Sequence, residues 1–137
     1  MTGALLDFIP FAHVGLAFDV AIEPVSRVTG SSPPLLFAAV VVVEALLLWL
    51  FRWGSPGRSA LASFVMNAVS ALIGAQLNMR MPDALVWGFI LSAPIEAAVL
   101  VLFDRRRKLR ALVSALGTNA ASYALLIGVY VFGRSLF

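Results

Sequence analysis

Apolar residues in this chain come in long unbroken runs, without the alternation of a half-buried strand. The runs cover about Leu35 to Phe51, Ser59 to Leu77, Ala84 to Phe103 and Ala111 to Phe132. Each is close to the roughly 20 residues that cross about 30 Å of hydrocarbon as an α-helix. The first is short and needs its flanks. Pro33-Pro34 blocks any continuation upstream, Gly54-Ser55-Pro56-Gly57 predicts a tight turn after the first run, and Met81-Pro82-Asp83 separates the second from the third. A membrane β-barrel would alternate apolar and polar residues with a period of about two, which these runs do not do. The pattern predicts an all-α membrane protein with four transmembrane helices.

Sliding the chain against itself by 52 residues aligns the first two runs with the last two without a gap. Phe37, Glu44, Ala45, Leu48, Leu50, Phe51, Arg58, Asn67, Ala68 and Ser70 fall on Phe89, Glu96, Ala97, Leu100, Leu102, Phe103, Arg110, Asn119, Ala120 and Ser122. Leucine and alanine matches carry little weight in such a composition, but Glu, Arg, Asn and Ser are scarce inside spans. An offset of two spans preserves orientation, so the expected architecture is a four-helix bundle of two tandem-repeated helical hairpins. Residues 35–83 and 84–137 form the repeats, related by a pseudo-twofold axis along the membrane normal. Residues 1–34 precede them as an N-terminal interfacial or capping segment.

Composition strengthens the membrane reading. Of 137 residues, 61% are hydrophobic and 12% charged, with a mean hydropathy of +0.98. A soluble domain averages roughly 45–50% apolar and about 25% charged. The absence of cysteine removes disulfides, iron–sulfur clusters and thiolate zinc, and one histidine, His13, cannot supply a bis-histidine haem. Nucleotide-binding glycine loops and H-E-x-x-H are absent, so neither cofactor nor metal is expected. The first basic residue is Arg27, so a charged signal-peptide n-region is missing and the chain is expected to be mature as it stands.

The isoelectric point near 10.2 does not point to nucleic acid, because the basic residues sit beside apolar runs. Seven of the ten Lys and Arg, namely Arg52, Arg58, Arg105, Arg106, Arg107, Lys108 and Arg110, fall in the two hairpin turns. The positive-inside rule places both turns in the cytoplasm and both termini outside, in a bacterial inner membrane. The cluster Arg105, Arg106, Arg107, Lys108 and Arg110 sets topology and meets anionic lipid headgroups.

Two glutamates interrupt the spans. In an antiparallel hairpin, residues equidistant from the turn share a level, and Glu44 and Asn67 are equidistant from the Gly54-Ser55-Pro56-Gly57 turn. Counted along the chain, the level lies roughly 17 Å from the turn at about 1.5 Å per residue, near the bilayer centre. Glu96 and Asn119 are expected to repeat the arrangement. Ser63, Asn67, Ser70 and Gly74 form one helical stripe, and Thr118, Asn119 and Ser122 a second. Small residues accompany them in Ser70-x-x-x-Gly74, Gly88-x-x-x-Ser92 and Gly117-x-x-x-Ala121, spacings that let helices approach closely.

A charged carboxylate at mid-span costs about 2.5–3.5 kcal/mol on insertion scales. A neutral Glu donates to an Asn oxygen and an ionised one accepts from the Asn amide, so such a site can load and release a proton or cation. Glu44, Asn67, Ser70, Glu96, Asn119 and Ser122 are therefore the candidate ion or substrate residues, in a transporter or channel acting as a homo-oligomer. The alternative is an accessory subunit of a larger membrane complex, with each Glu–Asn pair as interhelical packing. In the first 33 residues, Pro10, Gly15, Pro24 and Gly30 argue against a fifth span from Ala4 to Ile22. Asp19 and Glu23, four residues apart on one helical face, are outer-face candidates that a lipid-modifying enzyme would use as acids, the third reading.

Overall fold

The computed structural model describes residues 21–75 and 83–135. The expectations for His13 and Asp19, for a fifth span beginning at Ala4 and for the Met81-Pro82 break lie outside the described residues, as does the side chain of Glu23. The described chain is all-helical: α1 Ile22–Thr29, α2 Pro33–Leu50, α3 Pro56–Ala75, α4 Asp83–Phe103 and α5 Lys108–Ser135.

Among the described residues, three stretches are long and apolar enough to cross a membrane: Pro33–Leu50, Leu85–Phe103 and Lys108–Gly133. α3 carries more polar residues, namely Arg58, Ser59, Ser63, Asn67 and Ser70, and continues to the edge of the described residues at Ala75.

Helix ends differ from the sequence expectation. α2 closes with a Schellman motif, in which Arg52 N–H donates to the Trp49 carbonyl (2.9 Å) and Trp53 N–H to the Leu48 carbonyl (2.9 Å). The left-handed residue this motif requires is Arg52, at φ 54°, and not a glycine. Trp53 is 2% exposed and packs in one cluster with Leu48, the apolar clasp that such an end favours. Pro56 and Gly57, expected in the turn, instead open α3. Ser55 precedes them as the N-cap and Pro56, lacking an N–H, sits where no intrahelical donor is needed. α5 likewise begins at Lys108, so Lys108 and Arg110 belong to its first turn.

α2 packs on α3 and α5, and α4 packs on the same two, so the four long helices close a ring in chain order. α1 lies against α5 and α2, with Ala21, Ile22 and Val25 fully buried against Leu36, Val40, Tyr123 and Leu126. Large apolar side chains point outward on all four long helices: Leu46 and Trp49, Leu61 and Phe64, Val86 and Trp87, Val113 and Phe132. A soluble bundle keeps such contiguous apolar surface inside. The outside of this one matches hydrocarbon.

Candidate functional site

The interior is layered. At the turn end lies an apolar cluster of Leu48, Trp53, Ala62, Met66, Leu100, Ala111 and Ala115. At the α1 end lies a second, built on Ile22, Val25, Leu36, Val40, Tyr123 and Leu126. Between them the helices carry polar residues. The buried face of α2 steps by four through Leu36, Val40, Glu44 and Leu48, so the glutamate falls between one cluster and the other. On α5, Thr118, Asn119 and Ser122 stand between Ala115 and Leu126.

Glu44 and Glu96 are each 1% exposed, and Ser63, Asn67, Ser70, Ser92, Thr118 and Asn119 are fully buried, with Ser122 at 2%. All six candidate ion or substrate residues therefore point inward. Burying a polar group without a hydrogen bond costs about 1–3 kcal/mol by mutational measure, so the partners matter.

In the first half the partners are close. Asn67 Nδ2 donates to Glu44 Oε2 in a short hydrogen bond, and also to the Ser63 carbonyl at 2.9 Å. Ser63 Oγ donates to the Val41 carbonyl at 2.9 Å and lies 3.4 Å from Glu44 Oε2. α2 and α3 are thus tied through one carboxyl group. Asn67 Oδ1 accepts no hydrogen bond among the described residues.

The second half departs from the expected repetition. Asn119 Oδ1 accepts from Ser92 Oγ at 2.8 Å, while Asn119 Nδ2 donates to nothing among the described residues. The expected amide-to-carboxylate bond from Asn119 to Glu96 is therefore not made. The reason is local sequence. Ser63 corresponds at the 52-residue offset to Ala115, and Ser92 corresponds to Val40, so each half carries its serine on the opposite helix. The serine on α4 takes the asparagine oxygen. Ser122 Oγ turns to the Asn119 carbonyl at 3.1 Å, and Thr118 Oγ1 to the Ser114 and Ala115 carbonyls at 2.9 and 3.1 Å.

The depth of the layer also changes. Because the chain leaves the helix at Phe51, Glu44 lies six helical residues from the end of α2, roughly 9 Å at about 1.5 Å per residue. Asn67 lies 11 residues into α3, roughly 16 Å by the same rise. α3 therefore projects about one turn past α2 at that end, and the roughly 17 Å from the turn to the level shared by the asparagine and the glutamate is spanned by helix on the α3 side but partly by residues 51–55 on the α2 side. Pro94, two residues before Glu96, supplies no N–H to the Ile90 carbonyl and interrupts the α4 ladder beside the layer.

At the turn end, Arg58 and Arg110 do more than the expected setting of topology and, for Arg110, meeting of anionic headgroups. Arg58 Nη2 donates to the Phe103 carbonyl at the end of α4 (2.5 Å), and Arg110 Nη1 donates to the Arg52 carbonyl just past α2 (3.3 Å). Each arginine opens one helix and closes the C-terminus of another, where a cation meets the negative end of the helix dipole. Arg58 also lies over the Trp53 ring at 5.1 Å. The recurrence of Arg58 at Arg110 was the available signal. Ser92 offered only the close-packing spacing of Gly88-x-x-x-Ser92, since the repeat sets it against a valine.

The chain matches no protein-family model, and it has no significant match among curated proteins or solved structures.

Proposed function

We propose that this is a small polytopic membrane protein whose buried polar layer takes up a proton, a small cation or a small polar solute. In this reading all four long helices cross the bilayer as two tandem hairpins. α3 turns its polar stripe to the interior and its Leu61, Phe64, Leu72 and Ile73 to lipid. The seven-residue basic set at the two turns faces the cytoplasm and the chain termini lie on the opposite side.

The observation that carries the reading is a layer holding two carboxyl groups, closed above and below by apolar clusters, with an acceptor at Asn67 Oδ1 and a donor at Asn119 Nδ2 not engaged by described residues. Buried polar atoms in native proteins find a partner in most cases, and a guest that donates to one amide and accepts from the other supplies both. Ionisable residues inside a membrane are a functional signal by default. A four-helix ring is narrow for a path, so the transporting form is a homo-oligomer.

The test is proton and monovalent-cation flux in proteoliposomes of the wild type and of the Glu44→Gln, Glu96→Gln double variant. Wild-type flux above empty vesicles, lost in the variant, supports the proposal. Background flux in both rejects it. The Glu44, Asn67 and Ser63 cluster favours one competing reading, an accessory subunit in which these bonds only join helices. Reproducible co-purification with larger polypeptides in mild detergent, together with background flux, selects that one.

A further inference from the structure

The turn end of the bundle carries two adjoining depressions of opposite character. One, of about 410 Å³, is lined by Phe51, Leu109, Arg110, Val113 and Ser114. Its neighbour, of about 490 Å³, is lined by Arg106, Arg107, Lys108, Leu109 and Arg110. They share Leu109 and Arg110, so an apolar groove along the start of α5 opens directly into a cationic hollow at the α4–α5 turn. We propose that together they bind one anionic phospholipid, its phosphate in the hollow and the upper part of one acyl chain in the groove.

Charge and shape both select this occupant. The hollow brings four cations together against a single carboxylate, Asp104, which is held by Arg107 at 3.8 Å and by the Arg106 N–H at 3.2 Å. Arg110 uses one of its five N–H donors on the Arg52 carbonyl and retains the rest of its planar fork for a phosphate. A free phosphate or a nucleotide leaves the groove empty. Leu109, between Lys108 and Arg110, is 75% exposed, a costly placement in water and a suitable one at the boundary of headgroup and acyl chain.

The groove wall is specified by a close approach. A Cβ on Gly117 would meet Cε2 and Cζ of the Phe51 ring at 3.0 and 3.3 Å, so the absence of that carbon lets the ring edge close on α5. At the 52-residue offset Gly117 corresponds to Val65, so this wall has no counterpart in the other half. The site is confined to the start of α5, the turn before it and Phe51. It rests on the membrane reading and is independent of what the polar layer does.

The experiment uses the full chain in neutral detergent, titrated with phosphatidylglycerol, phosphatidylcholine or soluble glycerol phosphate, and reads retained lipid by native mass spectrometry and the thermal midpoint. The expected result is one phosphatidylglycerol retained and a raised midpoint, with neither effect from the other two. Arg106→Gln, Arg107→Gln, Lys108→Gln together weaken phosphatidylglycerol by roughly 100-fold. Val113→Trp fills the groove without altering charge and weakens it by about tenfold. Val113 is exposed, so this variant folds. Glycerol phosphate binding as well as the lipid, or Val113→Trp leaving lipid affinity unchanged, overturns the proposal in favour of a phosphate site or of diffuse surface attraction.

Discussion

The two asparagines occupy equivalent places in sequence yet do different things, and replacing each with leucine separates the structure from the repeat. Leucine is close to asparagine in size, so cavity terms are small. Asn67→Leu removes the amide that donates to the Glu44 carboxyl and leaves the 3.4 Å contact from Ser63 as the remaining side-chain bond from α3 to that oxygen among the described residues. Hydrogen bonds to charged groups are worth about 1.5–3 kcal/mol, and a buried acceptor that loses a donor adds up to about 1–3 kcal/mol. Interhelical bonds measured in membranes run lower, averaging about 0.6 kcal/mol, so a loss of about 2–4 kcal/mol is the combined expectation. Asn119→Leu forfeits one neutral bond from Ser92 and at the same time removes a buried amide that donates to nothing among the described residues. Its loss should be about 1 kcal/mol or less. Unfolding in mixed micelles with increasing dodecyl sulfate, followed by tryptophan fluorescence and circular dichroism, measures both. Adding Glu44→Leu to Asn67→Leu should recover part of the loss, because the buried carboxyl that lost the amide's donation goes too. Equal losses for the two asparagine variants, within about 0.5 kcal/mol, would refute the assigned hydrogen bonds.

Other expectations follow from single contacts. Arg52→Gly relieves a left-handed backbone at φ 54° and keeps the carbonyl that Arg110 uses, so the thermal midpoint should rise, by the equivalent of about 1 kcal/mol. A fall would show that the Arg52 side chain matters more than its backbone. Gly133→Ala places a Cβ 2.6 Å from Thr29 Cγ2, which must push α1 from α5 at a cost of about 1–3 kcal/mol. Faster amide exchange confined to α1, partly reversed by Thr29→Ser, is the expected readout, and unchanged exchange would count against the contact. Arg58→Ala removes both the Phe103 carbonyl bond and the cation over Trp53, an expected loss of about 1–2 kcal/mol accompanied by a shift in Trp53 emission. Arg58→Lys should restore little of it, since a point charge lacks the fork; full restoration would mean that charge alone suffices.

The correspondence between sequence and structure follows the range of the forces involved. The inward direction of Asn67 and Asn119 was readable because each lies on a polar stripe of helical period, and that of Glu44 and Glu96 because each is level with one of those asparagines and costly to expose to lipid. The level shared by Glu44 and Asn67 followed from their equal distance to a turn. Helix ends were less readable. Glycines in Gly54-Ser55-Pro56-Gly57 suggested where the chain reverses, yet the left-handed residue is Arg52, selected because Trp53 can then clasp Leu48. The same early exit from the helix leaves Glu44 six residues from the end of α2, fewer than counting to the glycines implied, with residues 51–55 spanning the rest.

By itself, then, the sequence determined that the described chain is helical, that its long helices are apolar on the outside and that carboxyl and amide groups are buried among them. Those properties depend on residue type and a 3.6-residue period, both local. Only the tertiary structure decided that Glu44 binds Asn67 while Asn119 turns to Ser92, and that Arg58 and Arg110 each close a helix in the other half. Such choices depend on distances near 3 Å between helices, and a single unmatched serine on a facing helix is enough to change them.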